Sequence, residues 1–146
     1  MTFHILAIGK PKLSFARDGI EEYAKRLRPL MPVTIDYLKP AAGEPESAAL
    51  LRRSEGMFRV ALDERGDQCT SREFAARITQ WELDRHKSVA LLICGAGGHS
   101  PDLRARSGWV WALGRLTLQH ELALLVLMEQ LYRACTIKAG LPYHRD

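Results

Sequence analysis

Residues able to do chemistry gather in a few stretches of this 146-residue chain. Gly95-Ala96-Gly97-Gly98 follows the apolar run Val89 to Cys94. Glycines after a strand let backbone N–H groups approach a ligand closely. The spacing is not G-x-G-x-x-G, and no Lys-Ser or Lys-Thr follows, so neither a dinucleotide fingerprint nor a phosphate loop is present. Ligand contact and a plain tight turn both remain open for this segment. Further on, Glu129, Gln130 and Arg133 fall on successive turns of a helical pattern, and Tyr143-His144-Arg145 comes near the end of the chain. An aromatic ring, an imidazole and a guanidinium together could stack a base and bind phosphate. The same residues also read as an ordinary polar tail, which periodicity alone favours.

Lys10, Lys12, Arg17, Lys25, Arg26 and Arg28 form a basic cluster that Asp18, Glu21 and Glu22 partly cancel. It reads either as a solvated helix face or as a patch for an RNA backbone. His4, His86, His99, His120 and His144 show no ligand spacing, so no metal site is expected. No G-x-S-x-G elbow and no cysteine–histidine signature for acyl transfer is present. Cys69, Cys94 and Cys135 form no C-x-x-C pair, which argues against a disulfide framework or a zinc ribbon and for a reducing, cytoplasmic setting.

The elements that must position these residues follow from hydrophobic periodicity. Strands are expected at Phe3 to Ile8, Val33 to Leu38, Arg59 to Leu62, Val89 to Cys94 and Trp109 to Leu113. Helices are expected over Leu13 to Leu27 with Phe15, Ile20, Tyr23 and Leu27 inward, and over Pro45 to Gly56 with Ala48, Leu50 and Leu51 inward. A third runs from a Ser71 cap to about His86, with Phe74, Ile78, Trp81 and Leu83 periodic. A short helix is expected over Leu103 to Gly108, and a last one from Glu121 to about Ile137. Alternating strands and helices imply an α/β fold with a mostly parallel sheet. Ligands on such sheets bind at the carboxyl ends of strands, here after Leu62, Cys94 and Leu113.

Apolar types are 47% and charged types 26% of the chain, with a net charge of +4. These values suit one globular domain over residues 1–146, and the mild basic excess is compatible with a polyanion partner. The longest apolar run, Leu122 to Met128, is too short to cross a bilayer, so no membrane partner is expected. That run is apolar on every side of a helix, which fits either a wholly buried helix or a surface shared with a second subunit.

Several segments together resemble a known family. Ile5-Leu6-Ala7-Ile8-Gly9-Lys10 and Glu22-Tyr23-Ala24-Lys25-Arg26-Leu27 match its N-terminal part, and Ala61-Leu62-Asp63-Glu64-Arg65-Gly66 its middle strand and loop. Leu116-Thr117-Leu118, His120, Glu129-Gln130-Leu131-Tyr132-Arg133-Ala134 and Pro142-Tyr143-His144-Arg145 match its C-terminal half. The chain resembles the RlmH (YbeA) family of ribosomal large-subunit pseudouridine N3-methyltransferases, of the SPOUT class. The resemblance implies a mostly parallel sheet with helices on both faces, a C-terminal trefoil knot and a homodimer. It further implies S-adenosylmethionine as methyl donor and, as substrate, a pseudouridine of 23S rRNA in assembled ribosomes.

Carried over by position, the donor pocket would take Leu62, Cys94, Gly95 and the segment Leu113-Gly114-Arg115-Leu116-Thr117-Leu118. Arg133, Tyr143 and His144 would be catalytic, and Arg145, Lys10 and Arg26 would bind RNA. The chain also departs from the family. Cys94 stands where a glycine is usual, Gly97 replaces the loop acid, Gln119 precedes His120 in place of proline, and Leu124 stands where many members carry arginine. The altered glycine loop motivates one alternative, a catalytically silent RNA- or ribosome-binding module on the same fold; a second, a nucleotide-binding α/β enzyme of another type, is opposed by the missing phosphate-loop and dinucleotide fingerprints.

Overall fold

Strand residues here alternate between two buried faces, and that alternation organises the molecule. The computed structural model describes residues 1–144. Strands β1 (Thr2–Ile8), β2 (Val33–Leu38), β3 (Phe58–Asp67), β4 (Ser88–Ile93) and β5 (Trp109–Trp111) form one sheet in the order β2-β1-β4-β3-β5. Every neighbouring pair is parallel. Helices α1 (Ser14–Leu27), α2 (Glu46–Arg53), α3 (Ser71–Leu83), α4 (Pro101–Ala105) and α5 (His120–Ala139) cover both faces.

On one face Phe3, Ile5, Val60, Leu62, Leu91 and Ile93 pack against Ile20 and Leu27 of α1, Phe74 and Ile78 of α3, and Leu127 and Leu131 of α5. On the other, Leu6, Ala61, Ala90 and Leu92 meet Leu50 and Leu51 of α2 and Leu103 of α4. Neighbouring residues of each strand thus serve opposite layers, and a parallel sheet buried on both faces reads as nearly continuous apolar runs.

Several sequence expectations change. Strand β3 does not end at Leu62. Its ladder with β5 pairs Leu62 with Trp111, and Asp67 then pairs with Trp111 again, so residues 63–66 arch out of the sheet between the two pairings. Strand β5 stops at Trp111 rather than Leu113, and Cys94 falls just beyond β4. Thr70, not Ser71, caps α3: its hydroxyl accepts from the Glu73 N–H while the Glu73 carboxylate accepts from the Thr70 N–H. Ser71 instead donates to Gln130 on α5 at 2.6 Å. In α2 the inward small residue is Ala49, while Ala48 is exposed. Phe15 and Leu83 were expected inward and are 59% and 70% exposed. Ala16 and Ala24 take the buried face of α1, which brings α1 close to α5. That contact is tight at Gly19, where a Cβ would sit 2.7 Å from a Leu125 methyl.

The expected helix bounds shift as well. Helix α2 is shorter than 45–56, α3 ends at Leu83 rather than His86, and α4 begins at Pro101 with Ser100 as its cap. Gly66 closes the arch on β3. A Cβ there would lie 2.5 Å from the Val110 carbonyl and 2.6 Å from the Trp111 nitrogen, both backbone atoms that cannot step aside.

Two outcomes follow for stability. Thr70→Ala removes one half of the capping box and should cost about 1 kcal/mol in urea unfolding. Gly66→Ala forces β3 from β5 and should cost roughly 1–3 kcal/mol in the same measurement. An unchanged midpoint for Gly66→Ala would show that the arch tolerates a side chain.

Candidate functional site

The parallel sheet brings residues 62–65 of β3 and the ends of β4 and β5 to one edge, and a cavity of about 390 Å³ lies there. Leu62, Cys94, Gly95, Leu113, Gly114, Leu116, Thr117 and Leu118 all line it, so three separate chain segments meet as the strand-end argument expects. Arg115 does not line it, and its side chain is exposed. The walls also include residues that sequence reasoning did not assign to the pocket: Asp63, Trp111, Gln119, His120 and Ala123 among them. Asp63 sits beside Leu62 in the matched segment and carried the clearest overlooked signal. Trp111 was hidden because an indole in an apolar run reads as core.

The cavity is rigid below and open above. Trp111 stacks on Trp109 at 5.2 Å between ring centroids and on Phe74 at 4.2 Å. The Arg77 guanidinium lies 3.8 Å over the Trp109 ring, and the Trp109 indole N–H donates to Asp67 at 3.1 Å. Offset rings locked by a cation and a hydrogen bond make a stiff floor. Leu116, by contrast, is 80% exposed.

The glycine loop is anchored at its exit. The Gly98 N–H donates to the Gly95 carbonyl at 3.2 Å, closing a turn with Gly98 at φ +76°. His99 Nε2 lies 3.0 Å from the Leu92 carbonyl, and the Ser100 N–H donates to Ser47 at 2.9 Å. Burial pushes the His99 pKa down, which keeps the ring neutral and makes that Nε2–H the donor. At Gly95 a Cβ would come within 2.8 Å of the Glu46 carboxylate, the far end of a side chain that would have to swing aside. Gly97, where the family's loop acid would stand, has open space around it. Leu124 is 2% exposed and belongs to the core shared by α1, α3 and α5.

Electrostatics at the cavity centre on Asp63. Its side chain is 4% exposed, with Arg65 at 3.4 Å and Arg104 at 3.6 Å. Arg104 donates to the His99 carbonyl at 2.8 Å, tying the loop after β4 to the arch after β3. Burial first, then the charge of Asp63, pushes the Cys94 thiol pKa up, so it stays protonated at neutral pH.

Arg133, Tyr143 and His144 lie elsewhere. Glu129 accepts from Arg133 Nη2 at 2.5 Å and from the Tyr143 hydroxyl at 3.1 Å. The Arg133 guanidinium lies 5.0 Å over the Tyr143 ring, and the hydroxyls of Tyr143 and Tyr23 are 3.3 Å apart. Burial and these contacts push the Tyr143 pKa well up, so its O–H is a donor. His144 Nδ1 is buried with no hydrogen-bond partner among the described residues. Arg26, paired with Glu22 at 2.7 Å, sits 5.6 Å over the Tyr23 ring at the edge of this cluster.

Lys10 is exposed at the opposite end of α1, where Glu121 accepts from the Lys12 and Leu13 N–H groups. Arg145 lies outside the described residues. The structure therefore gathers Arg133, Tyr143, His144 and Arg26, and sets them apart from the cavity. His120 and Ala123 line the cavity, while Arg133 is about 20 Å further along the same helix at its 1.5 Å rise per residue.

Among the described residues no group of His, Cys, Asp and Glu could hold a metal ion, and no helix is long and apolar enough to cross a membrane. Cys69, Cys94 and Cys135 are free thiols.

Known proteins of the same architecture carry matching sequences. A family model described as a predicted SPOUT methyltransferase matches residues 1–144. A Thermus thermophilus protein named ribosomal RNA large subunit methyltransferase H is 45% identical over 99% of this chain and 99% of its own. A Deinococcus radiodurans protein of the same name is 41% identical with the same coverage. Among solved structures, a probable methylase family protein from Haemophilus influenzae superposes with a TM-score of 0.57 at 9% identity, covering 99% of this chain and 70% of that one. A putative methyltransferase from Legionella pneumophila, solved with bound SAM, gives 0.51 at 14% identity, covering 92% and 66%. At such identities these two structures speak for the fold alone. With a family match over nearly its whole length and relatives above 40% identity, the chain belongs to the SPOUT methyltransferase family, among the ribosomal RNA large subunit methyltransferase H proteins.

Proposed function

We propose that this chain is a single SPOUT domain, residues 1–146, with a C-terminal trefoil knot, and that it methylates large-subunit rRNA from S-adenosylmethionine. The acceptor is N3 of a pseudouridine in 23S rRNA on assembled ribosomes, the working form is a homodimer, and its setting is the cytoplasm. The observation that carries the reading is the cavity at the three strand ends, in a chain 45% identical to a large-subunit rRNA methyltransferase. Its volume and its leucine and tryptophan walls suit an adenosyl group, whose polar edge the backbone of residues 94–98 and 113–118 can read. The knot is supported by the family match and by the arch 63–66, which closes against β5 ahead of the segment leading into α5.

S-adenosylmethionine supplies a methyl group on a sulfonium: the carbon–sulfur bond breaks with its electron pair left on sulfur, and a carbon–nitrogen bond forms to N3. The protein's part is to hold the acceptor in line and to take the N3 proton. His144 accepts that proton, Arg133 stabilises the charge that develops on the base, and Tyr143 orients the ring. Arg145, Lys10 and Arg26 bind the RNA backbone, and phosphate contacts of this kind position rather than specify.

The distance between the two clusters supports the homodimer. Reacting atoms must come within about 3.5 Å, and one chain holds its cavity and its Arg133 cluster far apart. A second copy brings its own Arg133, Tyr143 and His144 to the first copy's cavity. Leu116 and Leu118 at the cavity are exposed apolar residues, as are Phe15 near the start of α1 and Val126 in the first half of α5, and a second copy would cover such surface.

Isothermal titration should show S-adenosylmethionine binding. Labelled methyl should also appear on ribosomes from a strain lacking this protein, and less on free 23S rRNA. Arg133→Ala and His144→Ala should each lower transfer by roughly a hundredfold. Full activity in both would move the site elsewhere, while ribosome binding without donor binding would favour the silent module.

A mixing experiment addresses the two-chain site. Arg133→Ala and Gly95→Val homodimers should each be inactive. Mixed and reassembled, they should recover roughly a quarter of wild-type activity, because half of random dimers are mixed and each of those has one intact site of two. No recovery from folded, mixed dimers would place the site within one chain.

A further inference from the structure

We infer that Asp63 is the specificity-determining residue by which the cavity tells a positively charged methyl donor from its neutral demethylated product. The inference rests on the S-adenosylmethionine reading above and deepens it.

The geometry is that of a carboxylate held ready. The Asp63 side chain is 4% exposed yet forms part of the cavity wall, so what access it has is to the cavity. Its Oδ1 accepts from the Arg65 backbone N–H at 2.9 Å and lies 3.4 Å from the Arg65 guanidinium. Its Oδ2 makes no hydrogen bond among the described residues. The nearest cation to Oδ2 is Arg104 Nη1 at 3.6 Å, well beyond the usual 2.7–2.9 Å of a charge-assisted hydrogen bond. That same nitrogen donates at 2.8 Å to the His99 carbonyl.

Arg104 therefore supplies enough positive charge to keep a buried carboxylate tolerable without satisfying it. A carboxylate so placed carries a free lone pair and a field that reaches the neighbouring Cys94 thiol, whose pKa it helps to raise. Of the charged residues beside it in the lining, Glu64 is bonded to Thr117 and Arg65 is drawn to Oδ1 rather than Oδ2, while Leu62, Ile93 and Gly95 add only apolar surface and backbone. A cation entering the cavity gains an interaction there that an isosteric neutral molecule does not.

S-adenosylmethionine and S-adenosylhomocysteine differ at this level by one methyl and one positive charge, with adenine, ribose and the amino-acid end in common. A carboxylate that favours the charged member loads the donor and lets the spent product leave. Arg104 opposes this preference in proportion to its closeness to Oδ2. The two residues thus set the ratio of the two affinities in opposite directions, while their shared role in holding residues 94–100 acts on both ligands alike.

Isothermal titration of the full-length protein with S-adenosylmethionine and with S-adenosylhomocysteine tests this through the ratio of the two dissociation constants. Asp63→Asn should weaken S-adenosylmethionine by roughly tenfold, the scale of one partly screened charge pair, and leave S-adenosylhomocysteine within about twofold. Arg104→Met should shift the ratio the other way, toward the charged ligand, whatever it does to both affinities. It also keeps the test decisive if Asp63→Asn fails to fold. Equal weakening of both ligands in the two variants would reduce Asp63 and Arg104 to loop supports and overturn the inference, as would an unchanged ratio. If the wild-type protein bound neither ligand, the donor reading itself would fall, and the inference with it.

Discussion

The ladder between β3 and β5 is the interaction on which the rest depends. It pairs Leu62 with Trp111, breaks, and pairs Trp111 again with Asp67. A strand that simply ended at Leu62 would leave its following loop free to wander. Because the ladder resumes, residues 63–66 are fixed at both ends and held as an arch over the carboxyl edge of the sheet. Gly66 makes the closure possible, since the backbone of Val110 and Trp111 occupies the space a side chain would need. The buried carboxylate of Asp63, the cavity wall and the contact of Glu64 with Thr117 all follow from that arch.

The cavity combines a stiff floor with loosely covered walls. Phe74, Trp109 and Trp111 form one aromatic stack whose upper ring is part of the lining, so the floor is continuous with the main core. Above it, the glycine turn at 95–98 and the leucines of 116–118 are held mainly at their ends: by Ser47, Leu92 and Arg104 on one side, and by the Gln119 cap of α5 on the other. A pocket of this kind is largely pre-formed but keeps backbone N–H groups uncovered by side chains, which suits a nucleoside with many polar edges. Glu121, which accepts from Lys12 and Leu13 just ahead of α1 while opening α5, fixes the segment leading into α5 to the basic N-terminal loop.

Helix α5 is the second organising element. Its buried face joins α1 and α3 into one layer, and its length separates two clusters of polar chemistry. At its start lie His120 and the cavity; about two and a half turns on lies Glu129 and about three and a half turns on Arg133, with Tyr143 folded back onto them. Rigid spacing along a helix makes the division hard to remove by local motion.

The sequence by itself determined the order of elements, the parallel sheet and the three segments, after Val60, Ile93 and Trp111, that line one cavity. Period-two burial on both faces leaves few other ways to bury runs such as Val89 to Ile93. The resemblance in Glu129–Ala134 and Pro142–Arg145 pointed to residues that periodicity alone would have treated as a polar tail. Tertiary structure decided the rest. It alone shows that β3 continues past Leu62, because pairing across a break depends on a strand more than forty residues away. It replaced Ser71 by Thr70 as the cap, since both hydroxyls suit the role and only the backbone turn chooses between them. It turned Phe15 and Leu83 outward, because helical periodicity fixes an apolar stripe only to within a residue at each end, and the partner helices select which side is covered. And it set Asp63 in the cavity wall beside Arg104, a pairing of residues forty-one positions apart whose charge balance no local pattern encodes.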